Sequence, residues 1–339
     1  PFQLDVTDLL REGGNLIAIR VVKADVSTVH DNAGQWMLSG IWRDIFLFHV
    51  GEAHLRDFHV EPDFDPQTRE GRLHLTLSAS VRDAEVEAVL LPWEEDEPIA
   101  WARVTVSDGV ARLELTTGEV EPWTPETPNM YRLECRLIVG GAVVERAREE
   151  VGFRRFHADG ERFLLNGEPF LIRGLTRHEI KQGRGRSLSI ADAEHEIRLM
   201  RQANVTGVRS HPYPFDPRFI KLCARHGIVV CSGCCLCGYN SWGNPWAMSE
   251  TPTYPAHEST FDAGYRRLFQ QRYWSFAPKI YARLRNCTAI FAWSLSNESA
   301  ISEIFYPVAR FLHERERGRF ILSAGESNMM ESKFYDAAP

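Results

Sequence analysis

The chain of 339 residues is 44% hydrophobic, 25% charged and 11% aromatic, a balance that excludes a disordered, collagen-like or membrane-spanning protein. At roughly 100–200 residues per domain, this length predicts two or three domains, each large enough to bury a core without disulfide staples. With 39 Lys and Arg against 46 Asp and Glu the formal charge is −7, so no general attraction draws the chain to nucleic acid or to an anionic membrane surface.

The first residue is Pro1, and Phe2-Gln3-Leu4-Asp5-Val6-Thr7-Asp8-Leu9 reads as the middle of a folded domain rather than a leader, so a fragment is expected. After the turn signal Gly13-Gly14, residues 15–22 are rich in β-branched side chains and predict a buried strand, and Ile45 to Val50 predict a second. Between about 51 and 155, runs with period-2 alternation dominate: 72–77, 111–115 and 131–138. They are separated by turns at Pro66, Asp108-Gly109, Pro122, Pro125, Pro128 and Gly140-Gly141. Strands and turns at this spacing predict an immunoglobulin-like sandwich.

After Gly152 short apolar strands alternate with helical segments: strand 170–174, helix 190–202, strand 206–210, helix 216–226, strand 228–231, helix 260–285, strand 289–295, helix 302–315 and strand 319–323. This alternation predicts a parallel sheet with crossover helices, either doubly wound or a (β/α)₈ barrel. A complete barrel needs about 250 residues. Only about 180 remain here, so a barrel would stop near its fifth strand.

The stretch that carries chemistry is 289–299, a hydrophobic strand ending abruptly in Asn297, Glu298 and Ser299. At the C-terminal end of a barrel strand such groups face the active-site mouth. The alternative is an N-cap for the helix near 302. Trp293-Ser294-Leu295-Ser296-Asn297-Glu298-Ser299 resembles the acid/base motif W-S-L-G-N-E-S of glycoside hydrolase family 2, the β-galactosidases, β-glucuronidases and β-mannosidases. Further segments are similar to that family in its own order. They are Ser39-Gly40-Ile41-Trp42-Arg43-Asp44, then 121–131 with Trp123 and Tyr131, then Val151-Gly152-Phe153-Arg154, then 163–169, and then Arg173-Gly174-Leu175-Thr176-Arg177-His178-Glu179.

The resemblance implies a multidomain β plus α/β chain. Residues 1–50 would be the C-terminal part of a jelly-roll sugar-binding domain, 51–155 an immunoglobulin-like β-sandwich, and 156–339 the N-terminal half of a (β/α)₈ TIM barrel. It implies retaining hydrolysis of a β-glycosidic bond by two carboxyl groups about 5–5.5 Å apart. Glu298 matches the general acid/base, and Asn297 the residue that hydrogen-bonds the sugar 2-hydroxyl. His178 matches a substrate-facing His and Arg209 the second-strand Arg, for which Glu298 or Glu179 is the expected partner. His211 stands one place early relative to the family's R-T-S-H-Y-P, and Trp242 sits in a loop where aromatic rings stack on sugars. The nucleophile would end the seventh strand, past residue 339, so the fragment alone is expected to be inactive.

One departure is large. Where β-galactosidases carry an acidic residue and a His that serve a divalent ion, this chain has Cys231-Ser232-Gly233-Cys234-Cys235-Leu236-Cys237, so the magnesium site is not carried over and no cofactor is expected. The four thiols have spacing compatible with zinc or an iron–sulfur centre. Alternate residues of a strand face opposite sides, however, which favours buried, apolar cysteines. Seven cysteines in all, an odd number without a disulfide framework, favour a reducing, cytoplasmic setting. The expected partner is a β-linked oligosaccharide or glycoside, and a homo-oligomer is compatible with the family. Two other readings are an inactive member that binds carbohydrate or serves as an assembly module, and a metal or redox protein built on the cysteines.

Overall fold

Strict alternation builds the first unit. In the computed structural model, which describes residues 3–22, 40–160, 162–211, 213–234, 263–297 and 305–324, strands β1 (Leu55–Phe64), β2 (Glu70–Ala79), β3 (Glu85–Pro92), β4 (Ala100–Thr105), β5 (Val110–Glu119), β6 (Tyr131–Val139) and β7 (Ala142–Val151) form two antiparallel sheets ordered β1-β2-β5 and β4-β3-β6-β7. Leu73, Leu75 and Leu77 of β2 are buried while Arg72 and His74 between them face water. They meet Val86 and Leu90 of β3 and Leu133 and Leu137 of β6 in one core, as facing sheets of a sandwich do. The turn glycines act as expected. Gly140 and Gly141 both have positive φ, 58° and 83°, the conformation that a two-residue hairpin between β6 and β7 requires.

A small antiparallel sheet of β8 (Phe156–Asp159), β9 (Arg162–Leu165) and β10 (Glu168–Pro169) leads into the second unit. There, β11 (Gly174–Arg177), α1 (Ile190–Gln202), β12 (Gly207–Ser210), α2 (Pro217–Arg225), β13 (Val229–Gly233), α3 (Ala263–Leu284), β14 (Ile290–Asn297), α4 (Tyr306–His313) and β15 (Phe320–Ala324) alternate. The five described strands pair in parallel and in sequence order, with no reversal between them. The helices start where the chain supplies caps. Ser189 and Asp192 form a reciprocal capping box on α1, and Asp216 accepts from the Arg218 backbone N–H with Pro217 in the first turn of α2. Among the described residues no helix is long and apolar enough to cross a membrane.

Three expectations need correction. Residues 15–22 and 45–50 are not strands; the described residues 3–22 and 40–50 hold only a 3₁₀ turn, Thr7–Leu9. Their apolar side chains are exposed, Leu16 at 95% and Phe46 at 69%. A strand needs a neighbour to take its N–H and C=O groups, and no described strand pairs with either segment. The strand expected at 170–174 begins instead at Gly174. The apolar run ahead of it belongs to the β9–β10 hairpin, which the Phe170 N–H to Phe163 O bond prolongs. The tight meeting of β11 with β12 starts at two glycines: a Cβ at Gly207 would lie 2.3 Å from Ile172. The other helices and strands of this unit fall within a few residues of expectation over their described parts.

The segments singled out by sequence between 121 and 154 build the seam between the units. Trp123 is fully buried and its indole N–H donates to Ala224 O at 2.7 Å, and the Gly152 N–H donates to the Thr288 hydroxyl. Arg154, 4% exposed, donates to Thr288 O and Ile290 O at the start of β14. Gly227 (φ +69°) passes so close to Pro125 that a Cβ would sit 2.1 Å from its carbonyl oxygen.

Candidate active site

The C-terminal ends of β11, β12 and β14 bring four of the six candidate residues to one edge of the parallel sheet. Arg209 lies in register with Thr176 and Cys231 on β12, and its Nη2 donates to Asn297 Oδ1 at 2.9 Å. Asn297 is the last residue of β14 and only 3% exposed. Because Oδ1 is committed to the guanidinium, the carboxamide is held with its Nδ2–H₂ as the outward-acting donor. Arg209 therefore meets Asn297, not the expected Glu179. His178 and His211, just beyond the ends of β11 and β12, stack with ring centroids 4.7 Å apart. The His178 imidazole is pushed below its ordinary pKa, first by desolvation and then by the charge of Arg186. Glu298 and Trp242 lie outside the described residues, as do Cys235 and Cys237.

Glu179 has a different task. Its Oε2 accepts from Arg43 at 2.5 Å and its Oε1 accepts the Asp216 N–H at 2.9 Å, while the Arg43 guanidinium also reaches Pro214 O. Arg177 is buried, lies 4.0 Å above the Phe219 ring and pairs with Glu196. Burial tends to raise the Asp216 carboxyl pKa, but hydrogen bonds from the Arg218 side chain and backbone outweigh it and hold the group below the usual carboxylate range. These ions anchor the βα loops and join segment 41–44 to the sheet. The sequence signal for them was present in Arg43 and Glu179, both inside the quoted segments, but nothing in spacing pairs residues 136 positions apart.

The third-strand end is sealed and neutral where described. Cys231 and Cys234 are buried free thiols, and burial pushes Cys231 up to about 12. A protonated thiol beside Ser232 and Gly233 does not provide the hard oxygen ligands that magnesium takes, so no catalytic step is routed through a metal here. Two hydroxyls of this interior, Ser232 Oγ and Ser296 Oγ, are buried without a hydrogen-bond partner among the described residues.

Comparison with known proteins fits this architecture. Residues 156–336 match the family described as glycosyl hydrolases family 2, TIM barrel domain, and residues 53–154 match glycosyl hydrolases family 2. The chain belongs to glycoside hydrolase family 2. It is similar to a β-galactosidase of Streptococcus thermophilus, 29% identical over 302 residues, covering 88% of this chain and 28% of that protein. A β-galactosidase of Priestia megaterium is 29% identical over 359 residues, covering 100% of this chain and 33% of the relative. The chain thus spans about a third of the length of these relatives. Among solved structures, a β-D-glucuronidase for Dictyoglomus thermophilum superposes with a TM-score of 0.68 at 19% identity, covering 81% of this chain and 44% of that one, a likeness of fold.

Proposed function

We propose that this chain supplies the acid/base side of a retaining β-glycosidase, acting on a β-linked oligosaccharide or glycoside. In this reading residues 1–50 are the end of a jelly-roll sugar-binding domain, 51–155 an immunoglobulin-like sandwich, and 156–339 the first half of a (β/α)₈ barrel. The observation that carries the proposal is the Arg209–Asn297 hydrogen bond at the C-terminal end of the sheet. A buried carboxamide, fixed as a donor next in sequence to a glutamate, suits a contact to the sugar 2-hydroxyl that strengthens as oxocarbenium character develops. Glu298 protonates the leaving oxygen and then, as a base, activates water against the glycosyl-enzyme. The second carboxylate, the nucleophile, comes from the part of the relatives' length that these residues do not span. His178 and His211 border the sugar on the opposite side, and Trp242 stacks on it. All five described cysteines are free and buried, which accords with a reducing, cytoplasmic setting.

The test uses the complete reading frame. Glu298→Gln is expected to abolish hydrolysis of unactivated β-glycosides, with the wild-type product released first as the β-anomer in proton NMR. Activity of Glu298→Gln within tenfold of wild type, or an α-anomer as first product, would overturn the assignment. The 339-residue chain alone is expected to bind glycosides without turning them over.

A further inference from the structure

Beside the histidine pair lies a second cavity, of about 370 Å³, between segment 41–44 and the loop that follows Glu179. Four guanidinium groups line it, those of Arg43, Arg184, Arg186 and Arg218, against three carboxylates. Three of the four are tied to acids. Arg43 pairs with Glu179, Arg184 with Asp192, and Arg218 with Asp44 and Asp216. Adding Asp192 and its other partner Lys181 to the tally leaves the cationic excess unchanged.

Arg186 is held in another way. Its guanidinium carbon lies 5.1 Å from the Trp42 ring centroid and 4.5 Å from that of Tyr213, so two aromatic faces fix the plane of the fork. The two rings come from separate segments, 171 residues apart, which makes the clamp a product of the tertiary fold. A planar donor array fixed in this way is suited to bidentate recognition of an oxyanion. The cavity also communicates with the candidate active site, because the charge of Arg186 is felt at His178.

We propose that this cavity is an accessory subsite for the anionic group of a glycan, a carboxylate or a sulfate ester, on the sugar unit adjacent to the one held at Asn297, with Arg186 as its specificity-determining residue. The cavity is lined by the loop that continues from His178, so a glycan reaching across the histidine pair can present its next unit there. The acid-paired arginines keep the walls in place, and Arg186 reads the charge. The inference rests on the glycoside reading above for its sugar context, but not for the anion contact itself.

Isothermal titration calorimetry on the full 339-residue chain separates the two, with lactose and cellobiose as neutral probes and lactobionate, cellobionate, lactose sulfated on its glucose unit, and gluconate alone as anionic ones. At 20 mM NaCl the anionic disaccharides are expected to bind three- to tenfold tighter than their neutral counterparts. The advantage should shrink at 200 mM NaCl and vanish in Arg186→Gln, with Arg186→Lys restoring part of it. A preference for aldonates over the sulfate, or the reverse, identifies the source of the anion. Equal affinity for neutral and anionic disaccharides, or a preference untouched by Arg186→Gln in a variant whose thermal melt matches wild type, would overturn the subsite and leave the glycoside reading standing. Gluconate binding lost in Arg186→Gln, with no binding of either neutral disaccharide, would support the subsite and count against the glycoside reading.

Discussion

The two ends of the parallel sheet are built for opposite purposes. At the N-terminal end the sandwich is bolted on by saturated, buried contacts: Trp123 to Ala224 O, Arg154 to the start of β14, and Arg319 to the carbonyls of Arg285, Cys287 and Ile290. The Asn286 carboxamide extends this seam by bonding the open edge of β1, accepting from the Val60 N–H and donating to Phe58 O as a neighbouring strand would. At the C-terminal end the groups are half-buried, stacked or left with spare hydrogen-bonding capacity: His178 on His211, Asn297 with its Nδ2 available, and Ser296 Oγ buried and unsatisfied among the described residues. The contrast follows the general rule that one face of such a sheet is optimised for stability and the other for chemistry.

Substitutions at the two ends should therefore separate. The largest loss is expected at the seam, where Trp123→Ala removes a fully buried indole and orphans the Ala224 carbonyl. About 3–5 kcal/mol should be lost in urea unfolding. A loss under 1 kcal/mol would mean that the units do not depend on each other. The seam also holds a pH-sensitive group. His59 packs edge-on against Tyr281, flanked by Arg285 and Arg319, with Asp57 and Glu61 on its own strand. Burial first, then those two arginines, pushes its pKa down to about 4. The folded state thus excludes a proton that the unfolded chain accepts near pH 6.5. Stability is complete above that pH and is lost as pH falls through 4, by roughly 2–3 kcal/mol from this residue. His59→Gln should flatten the pH dependence of the melting temperature between 6.5 and 4, and an unchanged slope would assign it to other groups.

The same contrast explains what was legible in the sequence. Strands β12 to β15 and helices α1 to α4 were readable because each is an apolar run bounded by caps or turns, as with Ser189 and Asp216, so local and tertiary preferences agree. Residues 15–22 and 45–50 have the same β-branched composition but lack a pairing partner among the described residues, and pairing is not a local property. At the site, Asn297 and Arg209 were visible as polar groups closing apolar strands. That Arg209 meets the carboxamide rather than Glu179 was not visible, because Arg43 takes Glu179 from 136 residues away. Composition likewise gave no hint of the aromatic clamp on Arg186, since Trp42 and Tyr213 adjoin only in the folded chain.

At the mouth the effects on stability should be smaller and those on binding larger. Arg209→Met leaves the buried Asn297 Oδ1 without its donor and is expected to cost about 1–2 kcal/mol in urea unfolding. The carboxamide is then free to turn, so disaccharide affinity in the 339-residue chain should fall more than the melt does. If affinity is retained while stability drops, Arg209 is only a strand-end anchor.

The smallest effect is the sharpest probe of how the mouth is wired. His178 is held below its ordinary pKa by partial desolvation against its surroundings and, secondarily, by the positive charge of Arg186. Arg186→Gln removes the second cause alone, so the His178 imidazole resonance should titrate at higher pH than in wild type while remaining below a free histidine. Added salt should move the wild-type value the same way, because a charge acting across a partly exposed cavity is screened whereas desolvation is not. A His178 titration that ignores both the substitution and the salt would show that Arg186 does not communicate with the histidine pair, and the cavity and the candidate active site would then be electrostatically independent despite sharing a loop.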